Sequence, residues 1–160
     1  MQHSAGSKSH GGSGHYLHLG LMAAISFLAM YGLMYAMVDT FSNVFPNLNQ
    51  LYMAGLMTAA MVIIELLVMR SMYPDKKGNL AIMGVSTVAL VAFWFAIRGQ
   101  TGISDRQFLK SMVPHHGGAI LMCDKAELSD PELQSLCTSI RESQQKEIDF
   151  MKNKLVRARR

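Results

Sequence analysis

Charge is scarce in this chain. Asp, Glu, Lys and Arg make up 16% of its 160 residues, and three long stretches carry almost none of them. A soluble domain of this length would need a charged exterior, so the scarcity argues for membrane spans plus one small domain instead. The net charge of +4 is small and spread over loops and the C-terminal tail. That excludes the clustered basic face of a nucleic-acid-binding protein, and no nucleic-acid partner is expected. The amino-terminal stretch MQHSAGSKSHGGSGH has almost nothing to bury, so residues 1–15 are expected to form a disordered tail. His3, His10, His15 and His18 could gather metal loosely there or stay solvated, and no carboxylate or cysteine joins them. A small-residue cleavage site is also missing and the apolar run that follows is too long for a secretory signal, so the tail is expected to stay attached.

What is present is apolar. Half the residues are hydrophobic and 14 are methionine. Residues 16–38, 51–69 and 80–97 form three apolar runs of about 18 to 23 residues, each long enough as a helix to cross a bilayer. Asn, Ser and Pro46 break the chain after the first run, Pro74 and Gly78 after the second, Gly99 and Gly102 after the third. The expected fold is therefore all-α, with three transmembrane helices over residues 16–98 and a further domain over residues 104–157. The first connection lacks Lys and Arg, whereas the second holds Arg70, Lys76 and Lys77, which makes it cytoplasmic. The N-terminus with Lys8 is then cytoplasmic too, and everything beyond Arg98 lies on the far side, in the periplasm of a bacterial inner membrane.

Within the spans, Met53, Met57, Met61, Glu65 and Met69 recur every four residues, and Met22, Met30, Met34 and Met37 make a similar stripe. These stripes read either as thioether-lined faces that pass soft metal ions or as flexible packing. Glu65 is a candidate intramembrane site because an ionisable group inside a span is costly. It also lies close enough to Arg70 to reach the membrane interface.

The residues that carry the chemistry lie in DRQFLKSMVPHHGGAILM, Asp105 to Met122. Helical spacing places Met112, His115 or His116, and Met122 along one stripe. Imidazole with thioether is a soft, neutral donor set suited to Cu(I) or Ag(I). The alternative is a helix core with gap-filling methionine and a buried histidine. Ser104 with Gln107, and Ser129 with Glu132, match capping boxes, and Pro131 suits a first helical position. Helices over about 105–128 and 131–156 would then form an antiparallel hairpin. Folding it about residue 130 places Gln144 opposite His116, and Glu147 opposite Met112, as outer partners of the imidazoles. Met151 comes close enough to add a sulfur donor. Pro114 should kink or break the first helix, and Gly117 and Gly118 let another backbone come close.

Cys123 and Cys137 stand equally far from the turn, one on each helix. They read as a disulfide across the hairpin, which a periplasmic location permits, or as thiolates joining the copper site. A hairpin alone buries little, so a second copy completing a four-helix bundle, hence a homodimer, is expected.

The run Asp105-x-x-Phe108, Met112-x-Pro114-His115-His116, Ala119, Met122, then Gln144-x-x-Glu147-Ile148-x-x-Met151, resembles the bacterial domain-of-unknown-function family three hundred and five, in a branch with three N-terminal spans. The resemblance implies a ferritin-like helical fold and periplasmic copper binding, with Met112, His115, His116, Met122 and Met151 as ligand positions. Relatives often carry another Met four residues after the second histidine, where this chain has Ile120. The paired Glu-x-x-His motifs of di-iron chemistry are absent. The expected function is a membrane-anchored periplasmic protein that binds Cu(I), or silver in its place, for copper homeostasis or tolerance, in contact with lipid and with copper-handling proteins. The other classes are a structural or regulatory membrane module without metal, and a metal-dependent redox enzyme, for which only Glu147 and the cysteines offer reactive groups.

Overall fold

The computed structural model describes residues 10–157. Residues 1–9 of the expected disordered tail, with His3, lie outside the described residues. Among the described residues are five α-helices, in order α1 (His10–Leu33), α2 (Leu48–Val68), α3 (Lys76–Arg98), α4 (Asp105–Lys125) and α5 (Pro131–Arg157). Two 3-10 turns, Met34–Met37 and Phe41–Asn43, lie between α1 and α2. No strand occurs among the described residues. The chain is all-α, and α1 with its following turn, α2 and α3 are long and apolar enough to cross a membrane.

The first apolar run enters its helix earlier than its composition suggests. Helix α1 starts at His10, so residues 10–15, expected in the tail, are helical. The Gly and Ser of this stretch weaken a helix but do not forbid one when an apolar helix continues from it. At the other end the regular helix stops at Leu33 and tightens into the 3-10 turn, short of residue 38.

Helix α2 is the central element, packed on both α1 and α3. Its buried residues Gly55, Ala59, Val62 and Leu66 recur at helical spacing. Gly55 faces the Phe93 ring so closely that a Cβ there would overlap it, so the glycine sets how near α3 can come. At the end that carries the α2–α3 connection, Leu19, Val62, Leu66 and Tyr73 form a small core with Met22, Met61 and Met69 packed against it. The Tyr16 hydroxyl donates to Asn79 Oδ1 at 2.7 Å, and Asn79 Nδ2 donates to the Tyr73 carbonyl at 2.9 Å.

Helices α4 and α5 lie side by side at the opposite end of the three apolar helices. Their shared core is Val113, Ile120, Ile148 and Met151. Helix α4 ends at Lys125, so the connection spans residues 126–130, longer than the expected turn. Both capping boxes give way to other arrangements. Ser104 makes no side-chain cap bond, and Gln107 Oε1 instead accepts from the backbone N–H of Leu48, one of the donors that the start of α2 leaves open. At α5, Asp130 rather than Ser129 caps the helix, its Oδ1 accepting from Glu132 N at 2.8 Å. Pro131 opens α5 as expected.

Candidate metal site at the junction of the helix pair and the apolar helices

Successive residues on a helix point about 100° apart, so His115 and His116 meet different neighbouring elements although their rings lie close together. Helix α4 runs unbroken through Pro114, and its two histidines diverge. His116 turns toward α5 and is buried, whereas His115 turns toward the connection between α1 and α2 and is exposed. Their ring centroids are 5.9 Å apart at an angle of 66°.

Both nitrogens of His116 are occupied. Nδ1 lies 2.8 Å from the Met112 carbonyl oxygen, which can only accept, so Nδ1 carries the hydrogen. Nε2 lies 2.7 Å from Glu147 Oε2. Both ring nitrogens therefore face protein partners in this geometry. The partner on α5 is Glu147, and the half-buried Gln144 lies about one turn nearer the connection. Helical side chains lean toward their own N-terminus, so on antiparallel helices the His116 ring reaches past the residue level with its Cα. Glu147 remains 55% exposed and reaches inward to the ring.

His115 lies on a different surface. It lines a cavity of about 470 Å³ between α4 and the facing ends of α1 and α2. Met112 and Met122 share its wall, and Met34, Met37 and Met53 line the same cavity. Asn47, Asn49, Gln50 and Ser111 supply its polar lining. The two glycines after the histidines allow this approach. A Cβ on Gly117 would collide with the Asp39 carboxylate, and one on Gly118 would stand 3.4 Å from the Met37 carbonyl oxygen. Asn49 Nδ2 donates to Ser111 Oγ at 3.2 Å, which joins the start of α2 to α4. Tyr52 donates to the Thr101 carbonyl at 2.8 Å, tying α2 to the α3–α4 connection, and Tyr35 donates to the Phe45 carbonyl at 2.8 Å within the α1–α2 connection.

The expected ligand positions thus divide in two. Met112, His115 and Met122 lie together on the cavity. His116 and Met151 lie on the inner side of the helix pair, where Met151 is buried against Val113, Ile120 and Ile148. Met112 touches both sides, since it also packs against that core. The methionines of the first two apolar runs divide as well. Met22, Met61 and Met69 pack at the far end, and Met30 accepts a 3.8 Å bond from the Thr58 hydroxyl. Met34, Met37 and Met53 reach the cavity. Sequence reasoning placed these three only in stripes. The available signal was their position at the span ends nearest residues 104–157.

Among the described residues no three His, Cys, Asp or Glu side chains come together to hold a metal ion. Any metal at the cavity would rest on one imidazole and thioethers, a donor set that suits a soft monovalent ion and not zinc or a di-iron pair. Glu65 lies one turn before the end of α2, where its Oε1 accepts from the Tyr73 hydroxyl at 3.3 Å. Burial, and then the facing carboxyl, push the Tyr73 phenol above its usual range. Cys123 and Cys137 are joined as a disulfide, with Cα atoms 5.2 Å apart, so they are not thiolate ligands. His15 and His18 both lie in α1, where His15 is half-buried with its ring 6.5 Å from that of Tyr73.

No solved structure matches the chain. An uncharacterized protein of Acanthamoeba polyphaga mimivirus is 34% identical over 134 residues, which cover 82% of this chain and 86% of the viral protein. That similarity is too long to be confined to α4 and α5, so it takes in part of the apolar helices as well. The family described as Domain of unknown function (DUF305) matches residues 74–155, from just before α3 almost to the end of α5. The match starts well ahead of the paired histidines and includes the third apolar helix. On this match, which spans just over half its length, the chain belongs to the DUF305 family.

Proposed function

We propose that the protein is a membrane-anchored carrier of Cu(I), or of Ag(I) in its place, for copper homeostasis or tolerance. The metal is its cargo, held by His115, Met112 and Met122. One observation carries this reading: an imidazole not engaged by the helix pair shares a cavity wall with two thioethers. Soft, neutral donors of this kind favour Cu(I) over hard cations. His116, Glu147 and Met151 then support the site from behind. The pair His116–Glu147 fixes the first turn after Pro114, from which His115 projects.

The membrane anchor is supported by the apolar side chains that face outward along the first three helices, among them Leu21, Leu28, Ile64, Leu67, Val88 and Phe95, all more than half exposed. A surface of that extent needs a lipid or protein covering. With Arg70, Lys76 and Lys77 at one end, the charge rule places that end in the cytoplasm and α4–α5 in the periplasm of a bacterial inner membrane. The α4–α5 hairpin is half of a ferritin-like four-helix bundle in this reading. Leu133, Leu136 and Phe150 stand exposed on α5, and a second copy covers them in a homodimer. Copper-handling proteins are the further partners.

A second reading has its own observation. A buried histidine with both nitrogens satisfied is what a purely structural helix pair would also contain. The two readings separate in a competitive Cu(I) titration of the full-length protein in detergent, beside His115→Ala and Met112→Leu. Carrier function requires tight binding that falls by at least about tenfold in both variants. Equally weak binding by all three proteins would leave a structural module.

A further inference from the structure

We propose that the metal site is completed from the membrane side, with Met34, Met37 and Met53 supplying thioether donors to an ion that α4 captures through Met112, His115 and Met122. This inference rests on the carrier reading and adds to it where the ion sits: at the mouth of the apolar helices, between them and the α4–α5 pair.

Three observations carry it. First, the six side chains line one cavity, although the two groups lie far apart in sequence. Second, these methionines are not consumed by packing. Met22, Met61 and Met69 fill gaps in a core at the other end of the helices. Around Met34, Met37 and Met53 a space of about 470 Å³ remains, far above the roughly 10–15 Å³ that admits one water. Met37 is 55% exposed and Met53 38% exposed. A flexible thioether that leaves a void unfilled is available as a donor. Third, the walls are tied at fixed points. Gln107 accepts from Leu48 N, Asn49 donates to Ser111, and the glycine pair admits Met37 and Asp39 against α4. Donors on separate elements need such positioning if binding is not to cost their ordering.

The charge balance fits the same ion. A monovalent cation among neutral sulfurs and one neutral imidazole needs no carboxylate, and among the described residues none lines the cavity. The polar lining of Asn49, Gln50 and Ser111 leaves the cavity wettable at the level where the apolar helices end, so an ion can enter without crossing lipid. An ion bound there bridges the turn after α1, α2 and α4. Loading the carrier therefore stiffens the junction between the apolar helices and the helix pair.

The test uses the full-length protein in lipid nanodiscs, with Cu(I) as the probe. One variant carries Met34→Leu, Met37→Leu and Met53→Leu, and the other carries Met112→Leu and Met122→Leu. Leucine nearly conserves methionine's volume, and unchanged helicity checks the fold. Binding is read by chelator competition, and the number of sulfur neighbours of copper by X-ray absorption at saturation. A shared site predicts that each variant weakens binding at least about tenfold and lowers the sulfur count. If the triple variant keeps wild-type affinity and sulfur count while the α4 variant loses both, the membrane-side donors are refuted and the carrier reading stands. A weaker triple variant with an unchanged sulfur count also refutes them, because the effect is then structural. If neither variant changes binding, both readings fall.

Discussion

Removing the Cys123–Cys137 bridge should loosen α4 and α5 while leaving α2 and α3 intact. The two cysteines are 14 positions apart, and cross-linking a loop of about 15 residues removes chain entropy worth roughly 3 kcal/mol from the open state. That is a large share of what this helix pair has. Its core is Val113, Ile120, Ile148 and Met151, and a two-helix unit with so small a core is marginal by itself. The perturbation is the double variant Cys123→Ser/Cys137→Ser. Both positions are half-buried, so the hydroxyls can reach water and add little penalty of their own. Three kcal/mol is about two decades in an opening equilibrium, so amides of α5 that exchange only when the pair opens should exchange on the order of 100-fold faster. Hydrogen exchange of the full-length protein in detergent, followed by mass spectrometry, reads this segment by segment. Peptides from α2 and α3 serve as the internal control. Unchanged protection of α5 would refute the argument that the bridge holds a marginal pair. An equal loss in α2 and α3 would refute the claim that the pair opens separately from the apolar helices.

The two histidines should fail differently. His115→Ala is expected to weaken Cu(I) binding at least about tenfold with little change in stability. Glu147→Ala is expected to destabilise the helix pair by about 1–3 kcal/mol in chemical denaturation, because His116 Nε2 loses its partner in a buried ring. Equal effects of the two variants on both readouts would contradict the division of labour. Gly117→Ala should destabilise, because the added methyl meets the Asp39 carboxylate that Asn43 Nδ2 holds in place at 2.7 Å. The double variant with Asp39→Ala should recover much of that loss in a thermodynamic cycle, and additive losses would show that the contact is not the cause.

The parts of the fold legible in the sequence were those that depend on long runs and on single stiff residues. An apolar stretch of span length has few outcomes, and the three apolar helices follow from it. Pro131 opened its helix where its missing N–H costs nothing, and Cys123 and Cys137, placed symmetrically about one turn, met across it. The details that escaped are choices among near-equal local partners. Ser104 and Ser129 each fitted a capping box, yet Asp130 took one cap, and Gln107 turned away to satisfy Leu48. A short polar side chain has several backbone donors in reach, and the tertiary neighbour decides. The start of α1 escaped for a related reason, because Gly and Ser are poor helix formers that a neighbouring helix can still recruit. The cavity was least legible. Met34 and Met53 meet Met112 and His115 through the docking of the helix pair on the apolar helices, and no periodicity within one helix encodes such a meeting.

The doublet His115-His116 gains its meaning from that docking. Two adjacent residues on a helix wedged between two partners must face different ones. A histidine that faces a core needs both nitrogens satisfied, and α5 offers one carboxylate at the right level, Glu147, while the helix's own Met112 carbonyl offers the other acceptor. The same constraint that spends His116 on structure fixes the rotation of α4 about its axis. With that rotation fixed, His115 and Met122 present to the cavity, Met112 lies between it and the core of the pair, and the ends of the first two apolar runs bring their own methionines to the same cavity. One histidine is engaged by the helix pair, and the other faces the cavity. If the cavity holds an ion, as proposed, the first histidine aims the second.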